Sequence, residues 1–163
     1  MRKLGLADIA DHTTYEKERP EFRAHVISLK RTRRVPIGDR VTLVFENRET
    51  ARVQIQEMCR VERIVKPEAI RAEMDVYNTL IPDDGELSAT LLVGLDDAQK
   101  IREFLDCLLG VNERVFLEVE GDQISAQFDP GTYREDRVAA VHYVRFRLTP
   151  PRPSGPSSRA ARR

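Results

Sequence analysis

Five residues at and beyond one predicted helix start carry groups suited to binding an anion or moving a proton: Glu46, Asn47, Arg48, Glu57 and Glu62. Arg48 offers a planar fork of donors for an anion, and Glu57 or Glu62 held nearby would accept a proton. Glu46, Glu57 and Glu62 also form an all-oxygen set of the kind that holds iron. No Glu-x-x-His pair accompanies them, and no metal site or cofactor is expected.

Their placement follows from the helical period. Advancing ~100° per residue from Arg48 puts Ala51, Ile55, Met58, Cys59, Val61 and Val65 on one arc, with Glu62 between Ala51 and Ile55 on the wheel and Gln54 between Val61 and Val65. A carboxylate facing the core costs several kcal/mol unless it is paired. Glu62 is therefore expected to be buried against a partner from elsewhere in the fold, with a recess beside the Glu46-Asn47-Arg48 corner. A structural reading stands alongside: Asn47 suits a helix N-cap, Glu49 the positive helix end, and Glu57 with Arg60 a surface pair.

Other chemistries lack their residues. No GxSxG, Walker or Rossmann glycine pattern is present. Cys59 and Cys107 are far apart, each in a helical pattern beside apolar residues, and read as buried structural thiols. Glu21 and His25 lie one turn apart, but His25 flanks the Phe22 and Leu29 stripe as a boundary histidine; His142 reads as a core histidine and His12 as solvated.

The elements that must position these groups are mixed. A helix is expected from Thr13 or Thr14 to about residue 33, restarted or kinked at Pro20, with Phe22, Val26 and Leu29 as its core stripe. Val41, Leu43 and Phe45 alternate as a strand before the Asn47 cap, and Pro67 suits the first turn of the next helix. Residues 86–94 form a strand with Leu87, Ala89, Leu91 and Val93 on one face, leaving Glu86, Ser88 and Thr90 exposed. A helix capped by Asp96 or Asp97 and closed at Gly110 follows. A hairpin turning at Gly121-Asp122 would pair Val119 with Ile124, Leu117 with Ala126 and Val115 with Phe128. Residues 138–148 make a last strand.

These elements predict a single α+β domain over residues 1–148: a largely antiparallel sheet of about five strands with helices mainly on one face. Residues 149–163, rich in Pro, Ser and Arg, read as a disordered tail. The 163 residues are 40% hydrophobic and carry 27 basic against 27 acidic side chains, so no net field draws the chain to nucleic acid or an anionic membrane. The basic runs at 30–34 and 159–163 read as a solvated helix end and a solubilising tail, and no nucleic-acid role is expected. No apolar run approaches the ~18 residues of a membrane span and no secretory h-region is present, which points to the cytoplasm.

The segments RPEFR (19–23), LVFENRET (43–50), QIQEM (54–58), ERI (62–64), YNTLIP (77–82), GELSATL (85–91) and EDR (135–137) resemble, in order and spacing, an uncharacterised bacterial family catalogued as domain of unknown function 3501. The resemblance covers most of residues 1–148 and implies a small cytoplasmic protein whose genes neighbour those of rubrerythrin-like and iron–sulfur proteins. It implies no reaction, and His142 stands where the family pattern has Gln. Two functions remain open. One is a noncatalytic interaction protein of a rubrerythrin-like or iron–sulfur redox system, docking through residues 46–50 and the exposed side of strand 86–94. The other is an enzyme or small-anion binder using Arg48, Glu57 and Glu62, which requires a closed pocket around Arg48 and Glu62.

Overall fold

The computed structural model describes residues 1–94, 98–131 and 138–148. The 149–163 tail and the helix cap at Asp96 or Asp97 lie outside the described residues. An N-terminal arm leads into α1 (His12–Arg31), β1 (Arg34–Ile37), β2 (Val41–Phe45), α2 (Arg48–Val61), α3 (Pro67–Tyr77) and β3 (Glu86–Val93). Then come α4 (Ala98–Cys107), β4 (Phe116–Val119), β5 (Asp122–Ser125), β6 (Gln127–Phe128) and β7 (Val141–Arg147). Five strands form one antiparallel sheet in the order β1-β2-β3-β7-β6, and β4 and β5 form a separate hairpin. The α+β domain with its five-stranded antiparallel sheet agrees with the pattern of the sequence. Among the described residues, no helix is long and apolar enough to cross a membrane.

Register places Leu43, Leu91 and His142 side by side, with Phe45, Ala89 and Val144 in the next row. This face builds the larger core with Val93, Phe146 and Ala126, against which Phe104, Leu105 and Leu108 of the α4 region pack. Leu4, Ala51, Ile55, Cys59, Met74 and Ile81 form a second core between the arm, α2 and α3. On the opposite sheet face, Ser88 donates its hydroxyl to the Leu80 carbonyl just after α3. Ser88 is therefore buried, and the exposed polar face expected for strand 86–94 is covered at that point.

Several local expectations are corrected. Asp11, rather than Thr13 or Thr14, caps α1, accepting from the Thr13 and Thr14 amides at 3.0 and 3.1 Å. A carboxylate is the stronger acceptor at the positive helix end. Pro20 lies inside α1 without starting a new helix, and its ring nitrogen removes the donor that would have met the Glu16 carbonyl. The hairpin turns at Glu120-Gly121, both with positive φ of 52° and 90°, as a two-residue primed turn requires. Leu117 consequently pairs with Ile124 and Val119 with Asp122. That two-residue shift keeps every side chain on its expected face. Cys59 is buried as expected, whereas Cys107 is exposed.

Candidate functional site

The Glu46-Asn47-Arg48 corner is built as a helix start. The Asn47 side chain accepts from the Thr50 amide at 2.9 Å, and the Thr50 hydroxyl accepts from the Asn47 amide at 2.9 Å. Two of the amides that an unpaired helix start would leave open are thus satisfied reciprocally. Arg48 reaches back to the arm and meets the Asp8 carboxylate at 2.5 Å. The Gly5 amide and then the Arg48 guanidinium hold the Asp8 carboxyl below its usual range. Glu46 is 4% exposed. One of its oxygens accepts from the Thr90 hydroxyl at 2.6 Å, and the other is buried with no hydrogen-bond donor among the described residues.

Glu57, one helical face away, is the hub of the contact between α1 and α2. Its carboxylate accepts from Arg19 Nε at 2.7 Å and a terminal Arg19 nitrogen at 3.0 Å, from the Tyr15 hydroxyl at 2.7 Å and from Arg60 at 3.3 Å. The Arg19 hydrogen bonds, aided by Tyr15, outweigh partial desolvation and hold the carboxyl at about 2. Burial, followed by the Glu57 contact, pushes the Tyr15 phenol well above its usual range. Phe22 extends the same contact, with its ring 4.8 Å from the Arg52 guanidinium. A carboxylate so saturated with donors stays ionised but has little capacity to take a proton near neutral pH.

Glu62 departs from expectation. It is exposed, at the C-cap of α2, and Val61 and Val65 are exposed with it. The physical reason is the helix end: Arg63 adopts a left-handed φ of 53°, and the Ile64 amide bonds the Cys59 carbonyl at 2.9 Å. This Schellman closure turns the chain away just where the wheel would have carried Glu62 inward. Gln56, together with Thr50 of the cap, is the polar residue that α2 buries instead. Its amide oxygen accepts from the Ala10 amide at 2.7 Å and its nitrogen donates to the Ala10 carbonyl at 3.2 Å.

Arg48, Glu57 and Glu62 therefore do not converge. The fourteen steps from Arg48 to Glu62 span about 20 Å of helix axis, and Arg48 and Glu57 each serve separate structural contacts. Asn78 clamps the arm as Gln56 does, accepting from the Leu4 amide at 2.8 Å and donating to the Leu4 carbonyl at 3.0 Å. Sequence reasoning missed Asp8, Tyr15, Arg19 and the two amide clamps as a group. Their one signal was that Arg19, Gln56 and Asn78 sit in the motifs RPEFR, QIQEM and YNTLIP. Among the described residues, no cluster of three or more His, Cys, Asp or Glu side chains is placed to hold a metal ion.

What the arrangement does offer is a surface depression at the far end of α2. A partly enclosed recess of about 120 Å³ lies under the arm, between α2 and α3, lined by Ile9, Gln56, Cys59, Arg60, Ile64 and Ile70 among others. An open groove bordered by His12, Glu16, Arg60, Val61, Arg63 and Val65 adjoins it.

No functionally curated protein matches the chain. A solved structure that it resembles is that of a novel protein of unknown function from Burkholderia pseudomallei K96243, at 35% identity and a TM-score of 0.86, covering 91% of this chain and 79% of that one. The model of a family of proteins of unknown function, DUF3501, matches residues 3–158. The chain thus belongs to the DUF3501 family.

Proposed function

We propose that this protein is a noncatalytic accessory protein that docks a partner at the C-terminal end of α2. The observation that carries the reading is the pairing of exposed apolar and unpaired charged groups there. Val61 is 61% and Val65 70% exposed, and they border the groove with Arg60, Arg63, His12 and Glu16. Lone exposed valines need no explanation, and it is their place on either side of one open groove that supports the reading of a docking surface. Of the charged groups bordering the groove, Arg63 has no ion-pair partner among the described residues, while Glu16 lies 3.9 Å from Arg60. The matching partner is a protein segment bearing an apolar residue flanked by carboxylates. In this reading Glu62 orients the segment by repulsion, while Glu46, Asn47, Arg48 and Glu57 hold the scaffold.

An enzyme working through Arg48, Glu57 and Glu62 is less well supported, because the three groups are dispersed and Glu57 is saturated. The finer assignment, to a rubrerythrin-like or iron–sulfur redox system in the cytoplasm, names the partner class to test first; neither the family description nor the structural neighbour speaks to it. The test is affinity capture with wild type and with the paired variant Val61→Asp, Val65→Asp, followed by titration with the purified captured protein. The proposal expects a partner whose affinity falls at least tenfold in the variant while the thermal midpoint is kept. Equal affinity for both would remove this surface from the account.

A further inference from the structure

The groove at the end of α2 does not stop at its open borders. His12, Arg60 and Val65 line both the groove and the recess beneath the arm, so the two are continuous. A segment lying in the groove therefore passes over the mouth of a hollow that is already formed. Three elements fix its walls. Gln56 holds Ala10 by both its amide and its carbonyl, and Ile9 of the arm packs against the second core. The left-handed Arg63 returns the chain so that the Ile64 amide meets the Cys59 carbonyl, which brings the Ile64 side chain onto the same core. Ile70 of α3 supplies the third wall.

The polar groups on the lining already have their partners. Asp11 accepts from the Thr13 and Thr14 amides and, at 2.6 Å, from the Thr14 hydroxyl. Arg60 is shared between Glu57 at 3.3 Å and Glu16 at 3.9 Å, and the Tyr15 hydroxyl is given to Glu57 at 2.7 Å. Half-buried Glu73 has no ion-pair partner among the described residues and lies outside the lining, but its charge reaches Cys59. Burial, and then Glu73, push the Cys59 thiol above its usual range, so that wall of the recess is neutral. An anion would meet the field of Glu73, and a cation would meet Arg60. The occupant that fits is uncharged and apolar. Size narrows it further: about 120 Å³ falls short of the roughly 150 Å³ that accepts a benzene ring. Val61 and Val65 carry apolar surface outward from the mouth along the groove, as suits a continuing chain rather than an isolated molecule.

We propose that the recess between the N-terminal arm, α2 and α3 is the anchor pocket of the docking surface, taking one aliphatic side chain of the docked protein segment. Leucine, isoleucine or methionine has the required size, and that side chain lies against Ile9, Ile64 and Ile70. A side chain enclosed in a formed hollow carries most of the affinity of such a contact, with the charged rim setting orientation. Gln56 holds the arm that forms one wall and is a positioning residue. This assignment rests on the docking reading above and adds to it the residue class that the partner must present.

The experiment is an NMR titration of the full chain, labelled at its isoleucine and valine methyls, with a pentapeptide capped at both ends that carries leucine between two pairs of acidic residues. Versions with alanine or tryptophan in place of the leucine are titrated in parallel, as is the variant Ile70→Phe. With the leucine peptide, saturable shifts are expected at the Ile9, Ile64 and Ile70 methyls together with Val65. Affinity should be about tenfold or more weaker for the alanine peptide, as loss of three buried carbons implies. The tryptophan peptide should leave the three isoleucines unmoved, and Ile70→Phe, by filling the hollow, should abolish the preference for leucine over alanine. Equal affinity for the leucine and alanine peptides, or no saturable shift at the three isoleucines, would overturn the proposal. If Ile70→Phe does not fold, the leucine and alanine comparison on wild type still decides. Shifts at Val61 and Val65 alone would remove the anchor and keep the docking surface, whereas failure of the docking reading shows separately, as unchanged capture by the Val61→Asp, Val65→Asp variant.

Discussion

Replacing Glu57 by Gln removes the charge that fastens α1 to α2. The amide oxygen keeps an acceptor for Tyr15 and Arg19 Nε, while its NH2 takes the place of the oxygen that accepts from the terminal nitrogens of Arg19 and Arg60, so those two hydrogen bonds go with the charge. The gap between the ordinary carboxyl value of 4.5 and about 2 in the folded protein, at about 1.4 kcal/mol per pH unit, sets a ceiling of roughly 3.5 kcal/mol. Glu57 and Arg19 side chains are 27% and 25% exposed, and solvent screening reduces the expected loss at pH 7 to roughly 1–2 kcal/mol. Because the folded value is depressed, the stabilisation is fully present above pH 4.5 and is lost as pH falls toward 2. Urea unfolding of both proteins across this range should show a difference that is widest near neutral pH and closes at the acid end. A difference that stays constant with pH, or is absent at pH 7, would refute the assignment of Glu57 as an ionic anchor.

Three further substitutions probe α2 and its ends. Arg63→Gly should raise stability by about 0.5–1 kcal/mol in denaturant unfolding, because the left-handed φ at that position penalises a side chain; a loss would show that the Arg63 side chain makes a contact of its own. Glu62→Ala should change the unfolding midpoint by less than about 0.5 kcal/mol, as an exposed carboxylate predicts, while altering partner affinity in the capture assay. Glu46→Gln should be neutral or stabilising by up to about 1 kcal/mol, since it keeps the Thr90 contact and removes a buried charge with one oxygen unpaired. A marked destabilisation would mean that the ionised form has a donor in the folded state.

The readable part of this chain was the part governed by local pattern. Alternation in Val41 to Phe45 and Leu87 to Val93, the Asn47 cap, Pro67 and Gly110 carried the elements and the α+β class, because period and capping are decided within a few residues. Glu62 was misplaced because a helical wheel assumes that the helix continues, and nothing at Arg63 announces a left-handed residue the way glycine does. The hairpin slipped for a related reason: Glu120 takes a conformation usual for Asn, Asp or Gly. The polar contacts that hold the arm were beyond local reading, since Asp8 meets Arg48 and Gln56 meets Ala10 only once the arm has crossed α2. Expecting Ser88 to be exposed failed likewise, because alternation tells which residues share a face but not whether a helix covers it.

Central to the account is that the end of α2, and not the helix start at Glu46 to Arg48, is the working surface. Hydrogen exchange on the complex with the captured partner tests this most directly. The account predicts slowed exchange at the start of α1 and at residues 60–66, with residues 46–50 unchanged. Protection confined to residues 46–50, or spread over β3 with none near Val61 and Val65, would contradict it.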